Sequence, residues 1–99
     1  MPIPTVAHHV DRLRQHLPAL REKFRVRSLG VFGSYVRGEQ RQGSDLDLLV
    51  SFEEAPGLLT FLTLENQLSD LLGVPVDLVM EDALKPRIGA RVRREVVPV

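Results

Sequence analysis

Apolar residues at Val6, Val10, Leu13, Leu17, Leu20 and Phe24 recur three and four positions apart, the spacing that lines one face of an amphipathic helix. Pro18 falls inside this run. A proline there removes a backbone donor and crowds the preceding turn, so the pattern predicts a kink or a division into two short helices. Residues 27–32 are short, end in an apolar run and stop at Gly33, as a strand entering a tight turn does, and a short helix is expected from Ser34. Over Leu46–Phe52 the period changes to two: Leu46, Leu48, Val50 and Phe52 share one face, and Asp45, Asp47, Leu49 and Ser51 the other. Pro56-Gly57 breaks the chain. Leu58–Leu72 then carries Leu58, Phe61, Leu62, Leu68, Leu71 and Leu72 at helical spacing and ends at Gly73. Leu59 and Leu64 widen that apolar face, which favours a broad core-facing stripe over a protein contact. Val76, Leu78 and Met80 alternate with Asp77 and Val79 in a last short strand, and Pro86 sits early in a basic final helix, where its missing N–H costs little. The order of elements predicts an α+β domain with one small sheet covered by helices.

A chain of 99 residues, 43% hydrophobic, makes one domain, residues 1–99. It is short for enclosing both a nucleotide-sized ligand and an acceptor, so a partner or a second copy of the chain is expected to complete any such site. The formal net charge is zero, which removes the simplest argument for coating nucleic acid or an anionic membrane. The arginines near both ends read as solvated helix faces, and His8, His9 and His16 lack zinc-motif spacing and read as surface residues. The chain has no cysteine, so disulfides, thiolate metal sites and cysteine nucleophiles are excluded. The first ten residues lack the apolar stretch of a signal peptide and no apolar run is long enough to span a bilayer, so a soluble, cytoplasmic protein is expected.

The chemistry concentrates in Gly33-Ser34-Tyr35-Val36-Arg37-Gly38 and Ser44-Asp45-Leu46-Asp47-Leu48. Gly33 leaves room for close approach, Ser34 is suited to cap the helix behind it, and the outward N–H groups and helix dipole favour an anion such as phosphate. Arg37, within a turn of the same helix, is placed to reach a phosphate oxygen. Tyr35 either lines that site or packs. Neither the Walker pattern nor the dinucleotide glycine fingerprint is present. Asp45 and Asp47, two apart on a strand, leave one face with Cα atoms about 7 Å apart. At about 5 Å and an effective dielectric near 20, two such carboxylates repel by on the order of 3 kcal/mol, which a divalent cation turns into affinity. Asp77 interrupts the otherwise apolar run 74–80, where aspartate disfavours both strand formation and burial. If its strand lies beside that of Asp45 and Asp47, the three form one metal cluster. The chemistry this suits is nucleotidyl transfer, with Asp45, Asp47 and Asp77 as metal ligands and Asp77 as an alternative general base.

Gly33-Ser34-x-x-Arg37-Gly38, Ser44-Asp45-x-Asp47-Leu48 and a later strand with Asp77 together resemble the DNA polymerase beta-like nucleotidyltransferase superfamily. Within it, the short length and element order are similar to the minimal nucleotidyltransferases (MNT) encoded beside HEPN-domain partners, over residues 10–96. The resemblance implies a mixed three-stranded sheet with flanking helices, Mg2+ and ATP. It further implies an antitoxin that transfers AMP to a tyrosine of a HEPN ribonuclease toxin, with Gly33 and Ser34 gripping the triphosphate and Asp45, Asp47 and Asp77 holding metal. Arg37 matches the motif as well. The alternatives are an antitoxin that neutralises by binding alone, and a transferase acting on a small molecule or nucleic acid. The second is disfavoured by neutral charge and by the lack of the extra domain with which larger relatives bind such substrates.

Overall fold

The computed structural model describes residues 5–99. The elements run α1 (Val6–Phe24), β1 (Val26–Phe32), α2 (Ser34–Arg37), β2 (Leu46–Phe52), α3 (Leu58–Leu72), β3 (Val76–Met80), a 3-10 turn (Glu81–Ala83), α4 (Pro86–Glu95) and β4 (Val97–Pro98). Their sheet has the order β3-β2-β1-β4. β1 is antiparallel to β2 and to β4, and β2 is parallel to β3, so the sheet is mixed as expected. It has four strands rather than three. The added strand is two residues long, too short for an alternating signal, and its Pro98 lacks the ladder donor, which restricts it to an edge.

The helix α1 is one continuous element through Pro18, not two. Pro18 lies on the exposed side of the helix, while Val10, Leu13, Leu17, Leu20 and Phe24 are buried on the other. Burying five such side chains at about 1.5–3 kcal/mol each outweighs the roughly 3 kcal/mol that an interior proline costs. The helix ends without a glycine: Arg25 takes the left-handed conformation at φ 60° and its N–H donates to the Arg21 carbonyl.

Leu29 and Val31 of β1 pair with Val50 and Leu48 of β2, and Leu46, Leu48 and Val50 pair with Val76, Leu78 and Met80. Paired residues share a face, so these side chains form the floor on which α1 and α3 pack; Leu46, Leu48, Val50, Leu64 and Leu68 are wholly buried there. The stripe on α3 is narrower than the sequence suggests. Leu64, Leu68 and Leu72 face the core, but Leu58, Leu59 and Leu62 are exposed, at 72%, 80% and 41%. His9 is the opposite surprise: it is fully buried, its ring set edge-on to Tyr35 at a centroid distance of 5.2 Å. Tyr35 is itself core, so it packs instead of lining the ligand site.

The other face of the sheet carries Phe32, Asp47, Leu49, Ser51, Asp77 and Val79. The end of α4 and the segment after it cross its β1 side, where a Cβ on Gly30 would collide with the Val96 side chain. No helix among the described residues is long and apolar enough to cross a membrane.

Candidate active site

The parallel pairing of β2 with β3 places Asp47 directly opposite Asp77, and the antiparallel pairing on the other side places it opposite Phe32. Asp47 is therefore flanked by Asp77 and by the strand end that leads into Gly33. Neighbouring strands lie about 4.8 Å apart, so the two aspartates leave the same face as close neighbours. Asp45 precedes β2 by one residue, exposed at the mouth of this face. It follows a tight loop in which the Arg41 N–H donates to the Ser44 hydroxyl oxygen at 2.7 Å and the Ser44 N–H donates to the Arg41 carbonyl at 2.9 Å.

The edge strand that carries Asp77 is fixed from outside the sheet. The Val76 N–H donates to the Ser69 hydroxyl oxygen at 3.0 Å and the Leu78 N–H donates to the Glu65 carboxylate at 2.9 Å. Two side chains of α3 thus satisfy the outer donors of β3, which blunts the edge and holds the residue between them in register.

Gly33 has φ 82° and ψ −153°, a region essentially reserved for glycine. It also faces Asp47: a Cβ there would overlap the Asp47 carboxylate. Two independent requirements fall on one residue, a backbone shape and a close approach. Ser34 is not the cap that its sequence position suggests. Gly33 is the N-cap, Ser34 is the first helical residue, and no side chain caps α2. With four residues, α2 has little helix dipole to offer an anion.

Arg37 closes α2, and its guanidinium is held by two carboxylates. Its Nη1 donates to Glu95 at 2.6 Å and its Nε to Glu39 at 3.1 Å. Glu95, the last residue of α4, also accepts from the Gly33 N–H at 2.9 Å. Burial pushes the Glu95 carboxyl up, but the hydrogen bonds from Gly33 and Arg37 and the charges of Arg37 and Arg91 outweigh it, leaving it below its ordinary 4.5. Sequence reading misses Glu95. The available signal is an acid in the last turn of an otherwise basic helix, where the helix dipole disfavours negative charge.

The electrostatics single out Asp47. Burial, then the charges of Asp77 and Asp45, push its carboxyl up from 3.8 to about 6, with Arg37 pulling the other way. The three aspartates thus share a face and a field. Among the described residues no three carboxylates or imidazoles are gathered closely enough to hold an ion as they stand. The donor set nevertheless fits a hard divalent cation: it is all oxygen, it repels itself, and its most buried member is held back from ionising by burial and by the two acids beside it. A groove of about 370 Å³ between α1 and α3, lined by His16, Leu20, Lys23, Gln67 and Leu71, lies on the helical side of the sheet and takes no part in this arrangement.

A strand ending in a Gly-Ser turn that faces aspartates on two parallel strands defines a class, and the chain belongs to the nucleotidyltransferase domain family, whose model matches residues 13–97. The chain is thus a nucleotidyltransferase. Its relatives are more particular. It is 58% identical over 87 residues to protein adenylyltransferase MntA of Thermococcus cleftensis, covering 88% of each chain. A solved minimal nucleotidyltransferase superposes with a TM-score of 0.75 at 43% identity, over 91% of this chain and 95% of that one. The fold also matches, with a TM-score of 0.66 at 19% identity, a solved complex of a tri-AMPylated Shewanella oneidensis HEPN toxin with its MNT antitoxin, over 91% of this chain and 70% of that one.

Proposed function

We propose that this protein is a magnesium-dependent adenylyltransferase that moves AMP from ATP to a tyrosine of a HEPN-domain ribonuclease toxin, and so acts as the antitoxin of that toxin in the cytoplasm. The observation that carries the reading is the register match of Asp47 with Asp77 across from Gly33, because it brings two carboxylates and the Gly-Ser turn together. The 58% identical adenylyltransferase supports the reaction type, and the AMPylated toxin complex supports the kind of acceptor.

In this reading the Gly33 and Ser34 turn receives the triphosphate. Asp45 and Asp47 would hold the divalent ion that accompanies ATP, and Asp77 would hold the ion on the acceptor side. Bound magnesium supplies charge neutralisation at the phosphates and lowers the pKa of an acceptor hydroxyl. The acceptor oxygen then forms a bond to the α-phosphorus and the bond to pyrophosphate breaks. The hydroxyl proton leaves to a base, the alternative role for Asp77. Arg37, positioned by Glu95 and Glu39, would offer its remaining donors and its charge to a phosphate oxygen.

Incubation with labelled ATP, magnesium and the HEPN protein encoded next to it is expected to label that protein. Asp45→Asn combined with Asp47→Asn is expected to abolish the label. Transfer that survives the double substitution would remove the metal mechanism. The exposed Leu58, Leu59 and Leu62 favour a second reading, neutralisation by binding alone. Under it, the same double variant still protects cells that co-express the toxin.

A further inference from the structure

Glu95 spends both carboxylate oxygens on the motif turn. One accepts from the Gly33 N–H at 2.9 Å and the other from Arg37 Nη1 at 2.6 Å, and the side chain is only 16% exposed. Two interpretations are open to an acid in that place. It is either a plug that occupies the phosphate position until nucleotide displaces it, or a brace that holds the turn in shape. Burial separates them. Gly33 is itself buried and the Glu95 side chain is mostly covered, so the hydrogen bond between them is largely closed to an incoming phosphate. The backbone shape at Gly33 is one that glycine adopts freely among many others, so its neighbours must select it. Asp47 excludes any side chain there, and the Glu95 acceptor fixes the direction of the amide. An acid at a helix C-terminus is electrostatically disfavoured, and here it is compensated by Arg37 and by the Gly33 donor.

We propose that Glu95 is a positioning residue of the transferase site: from α4 it pins the Gly33 amide and the Arg37 guanidinium, and so sets Ser34 and the turn at a fixed distance from Asp47. The proposal rests on the transferase reading above. It makes α4 a working part of the site.

Glu95→Gln keeps an acceptor of the same size but removes the charge that holds Arg37, and Glu95→Asp keeps the charge but is too short to span both donors. Two measurements on these variants decide the matter. In hydrogen exchange, both are expected to speed exchange of the Gly33 and Ser34 amides at least tenfold while the amides of α1 and α3 keep their rates. In AMP transfer to the partner, both are expected to lower kcat about 10- to 100-fold with KM for ATP changed less than threefold, because misplacement of reacting groups by about 1 Å is costly in the chemical step. Glu39→Gln, which removes the exposed second partner of Arg37, is expected to leave both readouts within twofold of wild type. Unchanged exchange at Gly33 would overturn the brace, and so would a lower KM for ATP in Glu95→Gln, the result a plug gives. If wild type transfers no AMP, the transferase reading falls and the catalytic role assigned to Glu95 falls with it, while exchange still reports whether the pin exists.

Discussion

The α-carbon of Gly33 and the carboxylate of Asp47 stand so close that a single added methyl at position 33 would occupy the carboxylate's place. The end of β1 and the start of β2 are thereby set at one distance, the Gly-Ser turn against the half-buried acid. Gly33→Ala meets two penalties, a backbone conformation worth about 1–3 kcal/mol and a displaced Asp47. Transfer activity is expected to fall at least about 100-fold in steady-state assays, beyond what the loss of folded protein explains. Gly73→Ala is the control. It too has positive φ, 71°, but open space around it, and a remote position at the end of α3. It is expected to cost about 1–2 kcal/mol in a thermal melt and leave the specific activity of the folded protein intact.

Asp47 makes function and stability oppose each other. Its carboxyl ionises near 6 in the folded chain and near 3.8 ordinarily, so between those values the unfolded state has already released a proton that the folded state keeps. Stability contributed at this site is therefore full below about pH 4, falls as pH rises through 6 and stays low above. Asp47→Asn, which imitates the protonated acid, is expected to melt higher than wild type at pH 7–8 without added metal, with the gap closing towards pH 4. Magnesium and a non-hydrolysable ATP analogue should raise the melting temperature of wild type at pH 7.5 and leave that of the variant unmoved. Equal melting curves at neutral pH would mean that the three acids do not strain the apo fold.

Asp77 depends on groups that never touch its carboxylate. Ser69 and Glu65 satisfy the N–H groups on either side of it, and an unpaired, partly buried donor costs about 1 kcal/mol or more. Ser69→Ala and Glu65→Ala are each expected to lower stability by about 1 kcal/mol in denaturant titrations. The double variant is expected to lower kcat as well, since β3 then frays and Asp77 leaves the register of Asp47. Full kcat in a destabilised but folded double variant would show that the register of β3 is held by β2 alone.

What the sequence discloses and what it hides divide along physical lines. Strong periodicity survived translation into structure: α3 and β3 have the expected bounds, β2 alternates as read, and Asp47 and Asp77 stand opposite each other on neighbouring strands. Features decided by long-range contact did not survive. Pro18 looked like a break because local chemistry says so, but a continuous buried stripe on its far side holds the helix together. Arg25 ends α1 with positive φ and no glycine to announce it. Leu58, Leu59 and Leu62 extend an apolar helix beyond the sheet that it covers, and pattern alone cannot tell a core stripe from an uncovered one. Glu95 lies 62 residues from Gly33, and only the path of α4 across the sheet brings them together.

His9 is the remaining departure, and it yields a prediction about stability that leaves the site untouched. Its ring is fully buried, neither nitrogen has a hydrogen-bond partner, and one face of its surroundings is the edge-on ring of Tyr35. An unpartnered buried polar group costs about 1–3 kcal/mol, against roughly 0.5–1.5 kcal/mol recovered from the aromatic contact. His9→Leu, close in volume, removes both terms and fills the space with apolar atoms. A net gain of about 1 kcal/mol is expected, which for a domain of this size raises the melting temperature by about 4–8 °C. Burial first, then the charges of His8 and Arg12, hold the imidazole below its ordinary 6.5. The folded state therefore stays neutral where the unfolded state takes up a proton, and stability at this position is full above about 6.5 and lost as pH falls below it. That slope is opposite to the one Asp47 gives, so the leucine variant should lose the acid-side decline near pH 6 while keeping the decline that Asp47→Asn removes. A leucine variant that melts below wild type at pH 7.5 would mean that the imidazole has a hydrogen-bonding partner in solution, and that the edge-on pair with Tyr35 is worth more than its geometry suggests.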